Sequence, residues 1–196
     1  MAITPTDIAN MALGVLDEAP IDSLDENVKA ARLLNLHFDL TREVELKKHT
    51  WVFAILSSDV ESSLVETGCG MGRYSYPVPS DALRVLPITE NGEPDGRKIP
   101  FRREGDLLYC GRSGPRRIRY IGNLIDPNDW DSLFTDVLVA ALAVKVAHPL
   151  TQKTGMIDIA RNAYQTALME AQRVNAIERG HQVQKQTWAQ ARGDYR

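Results

Sequence analysis

The spacing of hydrophobic positions changes along the chain and divides it. Ile8, Met11, Ala12 and Val15 recur at helical intervals and predict a first helix over 4–17. Thr4 is placed to cap it, Pro5 suits its first turn, and Asp7 complements the positive helix end. Glu18-Ala19-Pro20 stops it. Asp22, Ser23 or Asp25 then offers a cap for a second helix over 26–48, whose core face reads as Leu33, Leu36, Leu40 and Val44 with the stem of Lys47. Trp51 and Phe53 follow at once. From 52 to 121 Pro and Gly become frequent, and short β-prone runs replace the helical period at 52–56, 74–78, 83–88, 107–110 and 117–121. In the last run Arg117, Arg119 and Ile121 alternate with Ile118 and Tyr120.

Helical spacing returns at Asp126-Pro127, a cap followed by a first-turn proline. Trp130, Leu133, Phe134, Val137, Leu138 and Ala141 line the third helix, over 127–147. Its 137–144 stretch is apolar all round and so reads as buried. His148-Pro149 is expected to end it. A fourth helix over 153–179 carries the small-residue stripe Met156, Ala160, Ala163, Ala167, Ala171 and Val174, and Gly180 closes it. Residues 181–196 are polar, with Val183, Trp188 and Tyr195 as isolated large apolar side chains, and read as a tail unable to bury a core of its own. The expected fold class is therefore α+β, mainly α. Two N-terminal and two C-terminal helices form a bundle, with a small antiparallel β region inserted at about 52–121 and an extended C-terminal tail.

Composition adds little to this picture until charge is placed along the chain. The formal net charge is -3, but residues 97–119 hold Arg97, Lys98, Arg102, Arg103, Arg112, Arg116, Arg117 and Arg119 against Glu104 and Asp106. The first fifty residues lean the other way, with nine acidic and five basic side chains. The arginine-rich stretch is either a solvated face meeting an acidic partner or a surface facing DNA, where arginines attract phosphates without reading sequence. Cys69 and Cys110 are too few for a disulfide framework at this length and read as reduced thiols. The start, MAITPTDIAN, has no basic, apolar signal pattern, and 137–144 is far short of the ~20 residues that span a bilayer, so no membrane partner is expected.

Candidate chemistry is sparse. Gly68-Cys69-Gly70-Met71-Gly72 resembles a phosphate loop, but strand-like Arg73-Tyr74-Ser75-Tyr76 follows it where a helix is required, so it reads as a hairpin loop. His37, His49, His148 and His181 lack ligand spacing, and no metal or cofactor is expected. Asp126, Asp129, Asp131 and Asp136 cluster at a helix start, where carboxylates ordinarily offset the dipole. No catalytic residue is assigned.

An ordered set of motifs spans the first 85 residues. It runs through Asp7-Ile8-Ala9-Asn10-Met11-Ala12-Leu13-Gly14, Ala19-Pro20-Ile21-Asp22-Ser23-Leu24-Asp25, Ala30-Ala31-Arg32, Trp51-Val52-Phe53-Ala54, Tyr76-Pro77-Val78-Pro79 and Asp81-Ala82-Leu83-Arg84-Val85. This set resembles the head-to-tail adaptor, or tail tubular protein A, family of tailed bacteriophages. The resemblance implies a structural virion protein, assembled in the host bacterial cytoplasm and placed at the head–tail interface. It implies a dodecameric ring under the portal protein, a nozzle or tail protein below, and genomic DNA passing non-specifically through the channel. It also implies a helical bundle with an inserted β region, and no shared catalytic site. A C-terminal extension reaching along the portal corresponds here to the tail, with Val183, Gln184, Lys185, Trp188, Arg192, Tyr195 and Arg196 as candidate portal contacts. The competing readings are another virion ring, such as a stopper or tail terminator, a virion-carried peptidoglycan hydrolase, and a non-specific DNA-binding protein.

Overall fold

α1, Pro5–Val15, begins at a reciprocal cap in the computed structural model, which describes residues 2–64, 74–94 and 96–179. The Thr4 hydroxyl accepts from the Asp7 amide at 3.2 Å, and the Asp7 carboxylate accepts from the Thr4 amide at 2.9 Å. α2, Lys29–Lys48, starts three residues later than its sequence pattern suggests. Its N-cap is Val28, with no side-chain bond, because the expected caps are engaged elsewhere. Ser23 accepts from the Asp25 amide and Glu26 from the Asp22 amide, closing a local turn instead.

A single 3₁₀ turn, Pro127–Asp129, precedes α3, Ser132–Thr151. α3 runs through Pro149 rather than ending before it. Proline gives up its own amide bond there and crowds the carbonyl one turn back, but Thr151 donates to the Ala147 carbonyl at 2.9 Å and Lys29 donates to the Pro149 carbonyl. Gln152, left-handed at φ 53°, ends the helix. α4, Thr154–Glu178, returns along α3. By length and hydropathy α3 resembles a membrane span, yet 61% of its most apolar stretch is buried. α1, α2 and α4 all pack on it. Its side of the core centres on Phe134, which meets Trp51, Phe53 and Trp130 at centroid distances of 5.2–5.6 Å.

The β region does not match the expected small insertion. Among the described residues it contains seven strands: β1 Ile55–Val60, β2 Ser63–Leu64, β3 Tyr74–Pro77, β4 Ala82–Val85, β5 Phe101–Glu104, β6 Leu107–Cys110 and β7 Arg116–Gly122. They form two antiparallel sheets, ordered β1-β7-β4 and β2-β3-β6-β5. The first sheet shares the helical core through Ile121 of β7, with Ala54 and Leu86 just outside β1 and β4. A second core of Tyr76, Ile88, Ile99, Leu108, Cys110 and Ile118 lies beneath the second sheet. The expected mainly α bundle of two N-terminal and two C-terminal helices with a small inserted β region is therefore incorrect: the helices share their core with a sheet, and the β region has a core of its own. Two strands escaped the pattern for a physical reason. β2 is two exposed residues long, and β5 is Phe-Arg-Arg-Glu with only Phe101 half-buried, so neither shows alternation.

Candidate assembly surfaces

β7 carries the densest part of the arginine-rich stretch. Its register with β1 sets Arg119 opposite Ser57 and Arg117 opposite Asp59. Arg117 and Asp59 form an exposed ion pair at 3.4 Å. Arg102 pairs with Glu104 at 3.0 Å and lies 6.0 Å from the Tyr109 ring, while Arg112 pairs with Glu90 at 2.5 Å. Acidic side chains thus meet three of the eight basic residues of the proposed surface. Arg116 is half-buried, its Nε without a partner among the described residues. Arg97, Lys98 and Arg103, on and just before β5, are exposed and in no ion pair among the described residues; Arg119, on β7, is half-buried and also outside the ion pairs.

The second surface was missed by the sequence pattern. α2 buries Ala31, Leu34, Phe38, Thr41, Arg42, Glu45 and Leu46. Leu36, Leu40 and Val44, expected in the core, face outward at 72%, 63% and 39% exposure. The helix has two apolar stripes, and both have helical period. Aromatic Phe38 and the tryptophan after the helix draw the other stripe inward, since Trp51 donates to the Glu45 carbonyl at 2.9 Å from within the core. The signal available in the sequence was that Leu34 and Phe38 continue into Leu46 on that side.

Polar groups are buried with this inner face. The Glu45 carboxylate accepts from the Lys48 ammonium at 2.6 Å and from the Tyr164 hydroxyl at 3.1 Å, joining α2 to α4. Burial works against the Lys48 charge, but the bonds to Glu45 and Tyr164 outweigh it and hold the amine above its usual value. His49 contacts the Gln172 amide, and partial burial holds its pKa below 6.5 despite nearby Glu45. Arg84 donates to the His49 carbonyl and the Thr50 hydroxyl at 2.9 and 2.6 Å, and Arg179 to the Thr50 carbonyl at 2.7 Å. Cations thus satisfy the carbonyls at the C-terminal end of α2, which is a structural task.

The acidic cluster before α3 is also occupied structurally. Asp126 accepts from the Asn128 amide and Asp131 from the Leu133 amide, capping the 3₁₀ turn and α3. The Asn128 bonds hold Asp126 below the usual carboxylate range. Among the described residues no His, Cys, Asp or Glu group is arranged to hold a metal ion. His148 lies inside the last turn of α3. The Gly68–Gly72 loop, Cys69, His181 and all the candidate tail contacts, Val183, Gln184, Lys185, Trp188, Arg192, Tyr195 and Arg196, lie outside the described residues.

Three of the residues that carry the family resemblance, Asn10, Asp81 and Arg84, tie separate segments together. Asn10 uses both ends of its amide on Ile21, accepting from its N–H at 2.8 Å and donating to its carbonyl at 3.0 Å. That links the first motif to the second. Arg84 links the motif at 81–85 to the residues just before Trp51, and Asp81 accepts from the Tyr120 hydroxyl at 3.1 Å. No protein-family model and no curated protein matches the chain.

Proposed function

We propose that this chain is a head-to-tail adaptor, a structural subunit of a tailed-bacteriophage particle that forms a ring, a dodecamer in the family it resembles, beneath the portal protein. The observation that carries the reading is the ordered motif set, whose members serve as cross-braces. Asn10 with Ile21, Arg84 with Thr50, and Asp81 with Tyr120 hold elements in place. A scaffold signature of this kind suits an assembly subunit better than a hydrolase, and the use of Asp126 and Asp131 as caps argues in the same direction.

In this reading the portal lies above, a nozzle or tail protein lies below, and genomic DNA passes through without sequence-specific contact. Residues 181–196 dock on the portal, with Trp188 as the anchor, because buried aromatics commonly dominate interface energetics. A ring closes through head-to-tail contacts between unlike surfaces. The exposed Arg97, Lys98 and Arg103 face DNA or an acidic partner surface.

The test is a pull-down with rings of the portal encoded in the same genome, using full-length protein, a chain ending at Gly180, and Trp188→Ala. Truncation is expected to abolish capture, and Trp188→Ala to cost about 2 kcal/mol or more of binding. Equal capture of all three overturns the docking arm. Absence of portal binding, together with lysis of cell walls that is lost in Asp126→Asn, Asp129→Asn or Asp131→Asn, overturns the adaptor reading in favour of a hydrolase.

A further inference from the structure

Among the described residues, the groove between α1 and the start of α3 carries charge of one sign. It opens in two adjoining hollows of about 550 and 430 Å³ that share Ile3 and Met11. Ile3, Met11, Trp130 and Val139 supply its apolar lining, and Asp7 and Asp136 its charge. Met11 is 48% exposed, so a large apolar side chain stands uncovered there. Residues 2–28 and 123–144 contain no Lys, Arg or His. Asp7, Asp129 and Asp136 are in no ion pair among the described residues. An apolar groove with unopposed carboxylates fits a basic segment that carries a large apolar side chain.

Two observations name that segment. The first is composition. Residues 181–196 hold Lys185, Arg192 and Arg196 against Asp194, with Trp188 between Lys185 and Arg192. The second is position. α4 ends at Glu178, which shares a narrow cleft with Asp131 and Leu133. Trp130 and Ser132, on either side of Asp131, line the groove. The chain therefore leaves α4 beside the short segment that forms one wall of the groove. Residues 181 to 188 reach up to about 26 Å when extended.

We propose that in the free subunit residues 181–196 lie in the groove of their own chain. Trp188 covers Met11, while Lys185 and Arg192 offset Asp129 and Asp136. One aromatic contact and two screened ion pairs are weak by themselves. A short tether supplies a local concentration of roughly 1 mM, so a contact with a Kd of about 0.1 mM is occupied about tenfold more than it is empty. The inference does not rest on the portal reading. Where that reading holds, the portal and the groove compete for the same residues.

Lys185 and Arg192 are themselves trypsin sites, which makes the docking measurable in the full chain without portal. Cleavage after each, followed by mass, is compared with cleavage of a free peptide of residues 181–196 carrying the same substitution where one is made. The full chain should be cut about tenfold more slowly than the peptide, at a rate independent of protein concentration. Asp129→Asn with Asp136→Asn, or Trp188→Ala, should remove most of that protection with the far-UV circular dichroism unchanged. Glu170→Gln, at an exposed position on α4, should keep it. Cleavage at the rate of the peptide overturns the proposal, and so does protection indifferent to the groove and Trp188 changes. Protection that grows with protein concentration puts the segment in the groove of another copy and overturns docking within one chain.

Discussion

At the residue scale, His49 is a group whose ionisation the fold opposes. Its ring sits against Gln172, with Trp51 edge-on at 5.5 Å, and burial depresses its pKa. Glu45 pulls the other way, while Lys48 and Arg84 reinforce the depression. The folded state therefore binds fewer protons here than the unfolded chain does. Stability contributed at this position is intact above the unfolded value of 6.5 and is lost as pH falls below it. Denaturant unfolding of wild type and His49→Gln, compared at neutral pH and at about pH 5, should show a smaller acid loss in the variant. Equal losses would mean that other groups set the acid sensitivity. Asn10 is a different sort of residue. Its amide satisfies both backbone groups of Ile21, so no shorter polar side chain reproduces the link between α1 and the connector.

At the element scale, helix ends follow local chemistry. Asp131 is the cap of α3, accepting from Leu133 at 2.7 Å. Asp131→Ala should lower stability by about 1 kcal/mol, read as a shift in the denaturation midpoint without a change in slope. A change of slope would point instead to a rearranged α3. Such caps are visible in sequence: Thr4 with Asp7 before α1 and Asp126 before Pro127 both stand out as start signals. What was not legible is which of two stripes a helix buries. α2 offers Leu33, Leu36, Leu40 and Val44 on one side and Leu34, Phe38 and Leu46 on the other. Periodicity alone ranks them equally, and the winner is set by Trp51 and α3, which lie elsewhere in the chain. Strand number was illegible for a related reason. β2 and β5 are held by pairing with β3 and β6, not by any alternation of their own. The arginine-rich stretch was legible as a charge run, but its partial neutralisation by Asp59, Glu90 and Glu104 depends on pairings the sequence does not display.

At the scale of the whole molecule, these pairings narrow the choice of charge variants. Arg97 and Arg103 are exposed and outside the ion pairs, so Arg97→Glu with Arg103→Glu tests the surface without disturbing packing. The fold should lose no more than about 0.5 kcal/mol per site, while genome retention or particle assembly falls. Normal particles with full genomes would remove these arginines from the channel or partner face. Arg116 is a poorer probe, being half-buried. The layout of the two cores has a mechanical side. β7 places Ile118 in one core and Ile121 in the other, about 10 Å apart along a single strand. Such a strand cannot slide in one core without displacing its anchor in the other, and a slip of one residue would turn both side chains out. A force applied to the second sheet is therefore passed along a covalent chain directly into the helical layer. The two layers resist shear together, and the backbone between residues 118 and 121 is where that resistance is concentrated.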